Sequence, residues 1–118
     1  MSLLAVAAGG AVGALGRYGV MNLVGLTNFP YATIIVNILG SLALGALLEA
    51  NTLYLNISET TRLFLVVGAL GAFTTFSTFS MESMYLIGKG ELLKAALYIT
   101  ATVTLSIFAF FVGMWLLK

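Results

Sequence analysis

The chain has no cysteine and no histidine. Without cysteine there is no disulfide, no thiolate nucleophile and no ligand set for an iron–sulfur cluster. Without histidine the commonest metal ligand and the commonest general base are both missing. Composition therefore disfavours haem, zinc and copper sites. Proline occurs once, at Pro30. Charge is scarce too: 8% of the 118 residues are charged, against about 25% in an ordinary soluble domain. The formal net charge of +1 offers no field for nucleic acid. The four carboxylates, Glu49, Glu59, Glu82 and Glu91, are scattered. There is no nucleotide-binding motif, and no nucleophile–base pair marks an enzyme.

What the chain does have is apolar mass, at 61% of residues. Folded as a small globule, it would expose more apolar surface than water tolerates. A soluble monomer and a disordered chain are both excluded. The length fits a single domain over residues 1–118. A membrane-spanning helix needs about 20 mostly apolar residues. Four such stretches are predicted, at residues 3–23, 31–50, 63–87 and 92–117. The fold class is thus all-α, a polytopic membrane protein of four transmembrane helices. No charge falls between Arg17 and Glu49, between Arg62 and Glu82, or between Lys94 and Lys118. The connections are short: Thr27-Asn28-Phe29-Pro30, residues 51–61, and Gly88-Lys89-Gly90-Glu91, where two glycines mark a turn.

The first stretch has no basic n-region and contains Arg17, so it reads as a span and not as a cleaved signal. Gly9 and Gly13 give it a G-x-x-x-G face suited to close helix packing. Orientation follows from Lys/Arg placement. Both termini and the 51–61 connection share one side, which carries Arg62 and Lys118. The other side carries Lys89 and Lys94, joined by Arg17 if it snorkels that way. So weak a bias predicts insertion in both orientations, and a dual-topology chain pairs naturally as an antiparallel homodimer. Alternatively, a signal other than this count decides translocation.

Polar groups inside spans are costly and mark functional candidates. Five hydroxyl residues and three phenylalanines fall between Phe73 and Ser80, in the middle of the third span. Glycine, serine and threonine are weak helix formers, and Ser/Thr hydroxyls bond nearby carbonyls. Two outcomes are open. The helix breaks, which membranes allow only where protein or a cavity covers the backbone. Or it continues, with each hydroxyl bonded to the carbonyl four residues back. A break frees carbonyl oxygens, hard ligands for a small cation. Phe73, Phe76 and Phe79 recur every three residues, so neighbouring members share roughly one helical face. Such a stripe serves packing, or turns partly positive ring edges toward an anion, with Ser77 among the interleaved donors.

In the second span Asn37 brings a buried amide, with Thr33 one turn earlier on the same face. An interhelical hydrogen bond would satisfy it equally well. In the fourth span Tyr98, Thr102 and Ser106 follow four-residue spacing and form one hydroxyl stripe, which apolar Phe110 continues. A conduction path and a helix–helix seam would both use such a stripe. Arg17 and Glu82 are ionisable groups within spans; they pair, face water, or contact freed backbone.

These residues resemble the Fluc/CrcB fluoride channels of bacteria, over essentially the whole chain. The resemblance rests on Gly13-Ala14-Leu15-Gly16-Arg17-Tyr18 in the first span and Val36-Asn37-Ile38-Leu39-Gly40 in the second. Its most specific element is Gly71-Ala72-Phe73-Thr74-Thr75-Phe76-Ser77-Thr78-Phe79-Ser80, followed by Glu82, in the third. The resemblance implies a dual-topology antiparallel homodimer in the cell membrane, with two fluoride pathways. It implies that Phe76 and Phe79 line those pathways by their ring edges beside Asn37, and that Tyr98, Thr102 and Ser106 form a polar track. It implies a structural, untransported sodium ion at the dimer axis, held by the backbone carbonyls of Gly71 and Thr74 from both subunits. Arg17 would sit near an aqueous vestibule. Phe110 departs from the family pattern, which often continues the track with a hydroxyl residue.

The physical reading agrees. Fluoride is small and strongly hydrated, so a pore must replace its water with donors, and hydroxyls, an amide and ring edges are donors. Fluoride enters cells as neutral HF from acid surroundings and dissociates inside. A passive anion channel, driven by a negative-inside potential, lets it out. The competing reading is a small multidrug-resistance transporter, also a four-span, dual-topology dimer. It needs a carboxylate in the first span, where this chain has Arg17.

Overall fold

A computed structural model describes residues 2–118. It is all-helical. Helix α1 covers Ser2–Val24 and α2 covers Tyr31–Leu53. The third span starts with α3, Glu59–Arg62, continues as a π-helix over Leu63–Leu70, and regains α geometry as α4, Gly71–Phe73. It resumes as α5, Ser77–Gly88, and α6 covers Leu92–Leu116. Four helical stretches are long and apolar enough to cross a membrane: Ser2–Val24, Tyr31–Leu53, Glu59–Gly88 and Leu92–Leu116. The molecule is 49 Å long, close to a bilayer with its headgroup regions, about 40–45 Å.

The third span starts four residues earlier than its apolar run predicts. Ser58 caps it, accepting a hydrogen bond from the Thr61 N–H at 3.1 Å. Glu59 and Arg62 pair one turn apart, with oxygen and nitrogen 2.6 Å from each other. Both side chains are exposed, so the pair adds little beyond helical phasing. At the other end Gly90 takes a positive φ of 78° and turns the chain into α6.

Two close pairings build the molecule: α1 against the π-helix and α4, and α2 against α6. Glycines make both possible. A Cβ placed on Gly9 would lie 2.1 Å from the Phe64 carbonyl oxygen, and one on Gly13 would lie 2.0 Å from that of Ala69. The G-x-x-x-G face thus seats the third span's backbone directly on α1. Residue type did not announce the π-helix. Its widened turn carries the Phe64 and Ala69 carbonyls that α1 receives, and Gly68 fits there because a Cβ would meet Gly10 N at 2.9 Å. On the other side, Gly45 faces the Phe110 carbonyl and Gly113 faces that of Leu42, each at 2.2 Å from a would-be Cβ.

Candidate functional site

The helix breaks at Thr74, whose φ of −85° and ψ of 161° are extended. Glycine, threonine and serine lower the cost of leaving the helix, and side chains take over the hydrogen bonds that it gives up. The Thr75 N–H donates to Asn37 Oδ1 at 2.9 Å, and Asn37 Nδ2 donates to the Thr75 carbonyl at 3.1 Å. Both polar groups of one peptide-bonded residue are thereby satisfied by one amide from α2. The Thr75 hydroxyl accepts from the Thr78 N–H at 3.1 Å and so caps α5. The interhelical bond expected of Asn37 is therefore made to backbone. The alternative outcome, hydroxyls bonded to carbonyls four residues back, occurs beside the break, from Thr74 to Leu70 at 3.0 Å and from Ser83 to Phe79 at 2.8 Å.

These diversions leave carbonyls free. In a continuous α-helix the Gly71 oxygen would accept from Thr75 N–H, and the Thr74 oxygen from Thr78 N–H. Here the first donor goes to Asn37 and the second to the Thr75 hydroxyl. Gly71 and Thr74 thus fit a hard-oxygen ligand set for a small cation.

The break also separates the phenylalanines, so their period of three does not produce one face. Phe73 packs against Gly16 and Gly40. Phe76 and Phe79 stay together, with ring centroids 5.4 Å apart and planes at 50°. Phe76 is 76% exposed and Phe79 only 7%. Phe79 also lies 5.3 Å from the Tyr98 ring.

A cavity of about 340 Å³ opens beside the break. Asn37, Phe76, Phe79, Thr102 and Ser106 line it, as do Gly71 and Thr74. The Thr102 and Ser106 hydroxyls are buried and have no hydrogen-bond partner among the described residues. Tyr98 belongs to the same stripe but has a different setting. Fully buried, it donates its hydroxyl to Glu82 Oε1 at 2.7 Å, and Thr33, also fully buried, donates to the same oxygen at 2.6 Å. Ser77 is exposed at the start of α5, its hydroxyl 3.3 Å from that of Thr75.

A second cavity, about 820 Å³, holds Arg17, Thr33, Thr78, Glu82 and Lys89 on its walls. Arg17 and Glu82 share this space, yet among the described residues neither forms an ion pair. Arg17 Nε is buried without a hydrogen-bond partner among the described residues. Sequence reasoning missed Ser41, which lines the first cavity. The signal was present: Thr33, Asn37 and Ser41 repeat at four-residue spacing on α2.

A broken transmembrane helix framing a largely apolar cavity that holds a few hydroxyl and amide groups, on a scaffold of four spans, defines a multi-pass α-helical membrane protein, and a cell membrane is its fitting location. Residues 4–114 match the family described as CrcB-like protein, Camphor Resistance (CrcB). The chain belongs to this family. It is 52% identical over 114 residues to the Fluoride-specific ion channel FluC of Idiomarina loihiensis, covering 94% of this chain and 88% of that one. It is 46% identical over 118 residues to the Fluoride-specific ion channel FluC of Agrobacterium fabrum, covering 97% and 94%. With Fluoride-specific ion channel FluC 1 of Methanosarcina acetivorans it shares 42% over 114 residues, covering 95% and 87%.

Proposed function

We propose that this protein is a passive, fluoride-selective channel that exports fluoride from the cytoplasm. The observation that carries the reading is the pair of buried, unpartnered hydroxyls of Thr102 and Ser106 in the cavity at the break. An unsatisfied buried polar group costs about 1–3 kcal/mol. An anion passing through the cavity relieves that cost and receives donors in place of water. The names of the relatives point the same way.

The residues divide the work along the path. Asn37 uses one N–H on Thr75 and keeps its second for a ligand. Phe76 and Phe79 offer ring edges without fixed positive charge, which favours passage over trapping. Thr33 and Tyr98 extend the donor series, but an anion reaching them must draw their hydroxyls from Glu82. Ser77 adds a hydroxyl at the exposed face. Arg17, in the larger cavity, raises local anion concentration at the mouth.

The break lies open on the side of Phe76. Non-helical backbone at membrane depth requires cover by protein or water, which supports a second subunit there. The balanced Lys/Arg placement supports an antiparallel, dual-topology homodimer. The carbonyls of Gly71 and Thr74 from both subunits would hold a sodium ion at the dimer axis. Such an ion supplies fixed positive charge that offsets the carbonyl dipoles. Replacing sodium by a large organic cation is expected to weaken dimer assembly and flux, and a C-terminal reporter to appear on both membrane faces. Sodium-independent assembly and flux overturn the ion site, and a reporter confined to one face overturns dual topology.

Efflux from liposomes containing only this protein tests the function, with a potassium gradient setting the voltage. Fluoride is expected to leave rapidly and chloride to stay. Phe79→Ile, which keeps bulk but removes the ring edge, is expected to lower fluoride flux roughly tenfold, a loss of about 1.4 kcal/mol. Equal fluoride and chloride flux, or none from folded wild-type protein, overturns the reading.

A further inference from the structure

The register of α2 against α6 is fixed at two places. At one end Thr33 and Tyr98 donate to the same Glu82 oxygen. At the other, Gly45 sits on the Phe110 carbonyl. The difference in residue number is 65 at both places and 67 to 71 where Gly113 meets Ala46 and Leu42, so the two helices run parallel, with levels matched to within about a turn. Between these ends an offset of 65 pairs Asn37 with Thr102 and Ser41 with Ser106 to within a turn, and all four line the first cavity. Each level is about 6 Å from the next, four residues at 1.5 Å rise. The fourth-span hydroxyl stripe therefore has a counterpart on α2: Thr33, Asn37 and Ser41.

The three levels are chemically distinct. At the first, both hydroxyls are held by Glu82. At the second, Asn37 is bound to the Thr75 backbone while the Thr102 hydroxyl is unpartnered. At the third, Ser41 and Ser106 line the cavity together, and the Ser106 hydroxyl is unpartnered. No carboxylate is among the residues lining this cavity.

We infer that Ser41 is a further anion-contacting residue, forming with Thr102 and Ser106 a hydroxyl station for the dehydrated anion beyond the phenylalanine pair. The inference rests on the channel reading and extends it by one residue and one level. A station free of carboxylate holds an anion by hydroxyl donors alone, weakly enough to release it.

The test is fluoride efflux from liposomes carrying wild type, Ser41→Ala or Ser41→Thr, with thermal melting of each purified protein alongside. Ser41→Ala is expected to cut fluoride flux roughly tenfold with an unchanged melting temperature, and Ser41→Thr to keep the flux. Wild-type flux in Ser41→Ala overturns the inference, because the hydroxyl then plays no part in conduction. Equal loss in Ser41→Ala and Ser41→Thr also overturns it, by showing that side-chain size matters and not the donor. Absence of fluoride flux from the wild type fails the channel reading itself and the inference with it, a result distinct from the other two.

Discussion

Asn37→Leu is expected to abolish fluoride flux and to lower the folded fraction together. The amide of Asn37 satisfies both the N–H and the carbonyl of Thr75 at the break. Leucine leaves two backbone groups unpaired at membrane depth, where water does not replace the lost partner. At about 1–3 kcal/mol for each group, the pair costs roughly 2–6 kcal/mol. Asn37→Asp separates the two roles. It keeps an acceptor for the Thr75 N–H, so folding should fall less, but it adds negative charge beside the proposed path and flux should still vanish. Melting in detergent and efflux from liposomes read these separately. A leucine variant that melts like the wild type would show that the break holds itself open without the amide.

Gly13→Ala is expected to destabilise the fold by about 3 kcal/mol, more than an ordinary methyl insertion. The added Cβ would lie 2.0 Å from the Ala69 carbonyl oxygen and 3.0 Å from Phe73 N. Both are backbone atoms, so no rotamer change relieves the clash. Helix α1 must move away from the third span instead, and the packing that ends just before the break opens with it. Gly16→Ala is the matched control. Its Cβ would meet the Phe73 ring at 3.3 Å, and a ring can give by a few tenths of an ångström. The expected order of melting temperatures is wild type and Gly16→Ala close together, with Gly13→Ala well below. Equal melting of all three would mean that α1 and the third span are not seated backbone to backbone.

Much of this architecture is legible in the residues. Charge-free apolar runs announce four spans, and the Gly9–Gly13 pair announces a packing face. The Thr-Thr-Phe-Ser-Thr-Phe-Ser run announces weak helix at membrane depth, since its residue types favour local side-chain bonds. Three features are not legible, each for its own reason. The π-helix has no residue code of its own; it appears where the third span's carbonyls settle onto α1 glycines. The joint hold of Thr33 and Tyr98 on Glu82 links residues 49 and 16 positions apart, which periodicity within one helix does not report. Ser41 continues the four-residue spacing of Thr33 and Asn37, but in the run Gly40-Ser41-Leu42-Ala43-Leu44-Gly45 a small residue equally reads as packing, so the spacing alone does not single it out. Its place on the same cavity wall as Ser106 comes from the structure.

The π-helix over Leu63–Leu70 has a consequence for how such a chain changes length during evolution. Each of its hydrogen-bonded loops holds one residue more than an α-helical loop. Loss of a single residue there is absorbed by narrowing to α geometry, while the segments on either side keep their facing. Helices α2 and α6 have no such slack between Thr33 and Gly45 or between Tyr98 and Phe110. One residue gained or lost in either rotates everything after it by about 100° and takes its side chains out of level with the other. Indels in this fold should therefore collect in the connections and in that one wide stretch of the third span, while the two parallel helices keep a constant count.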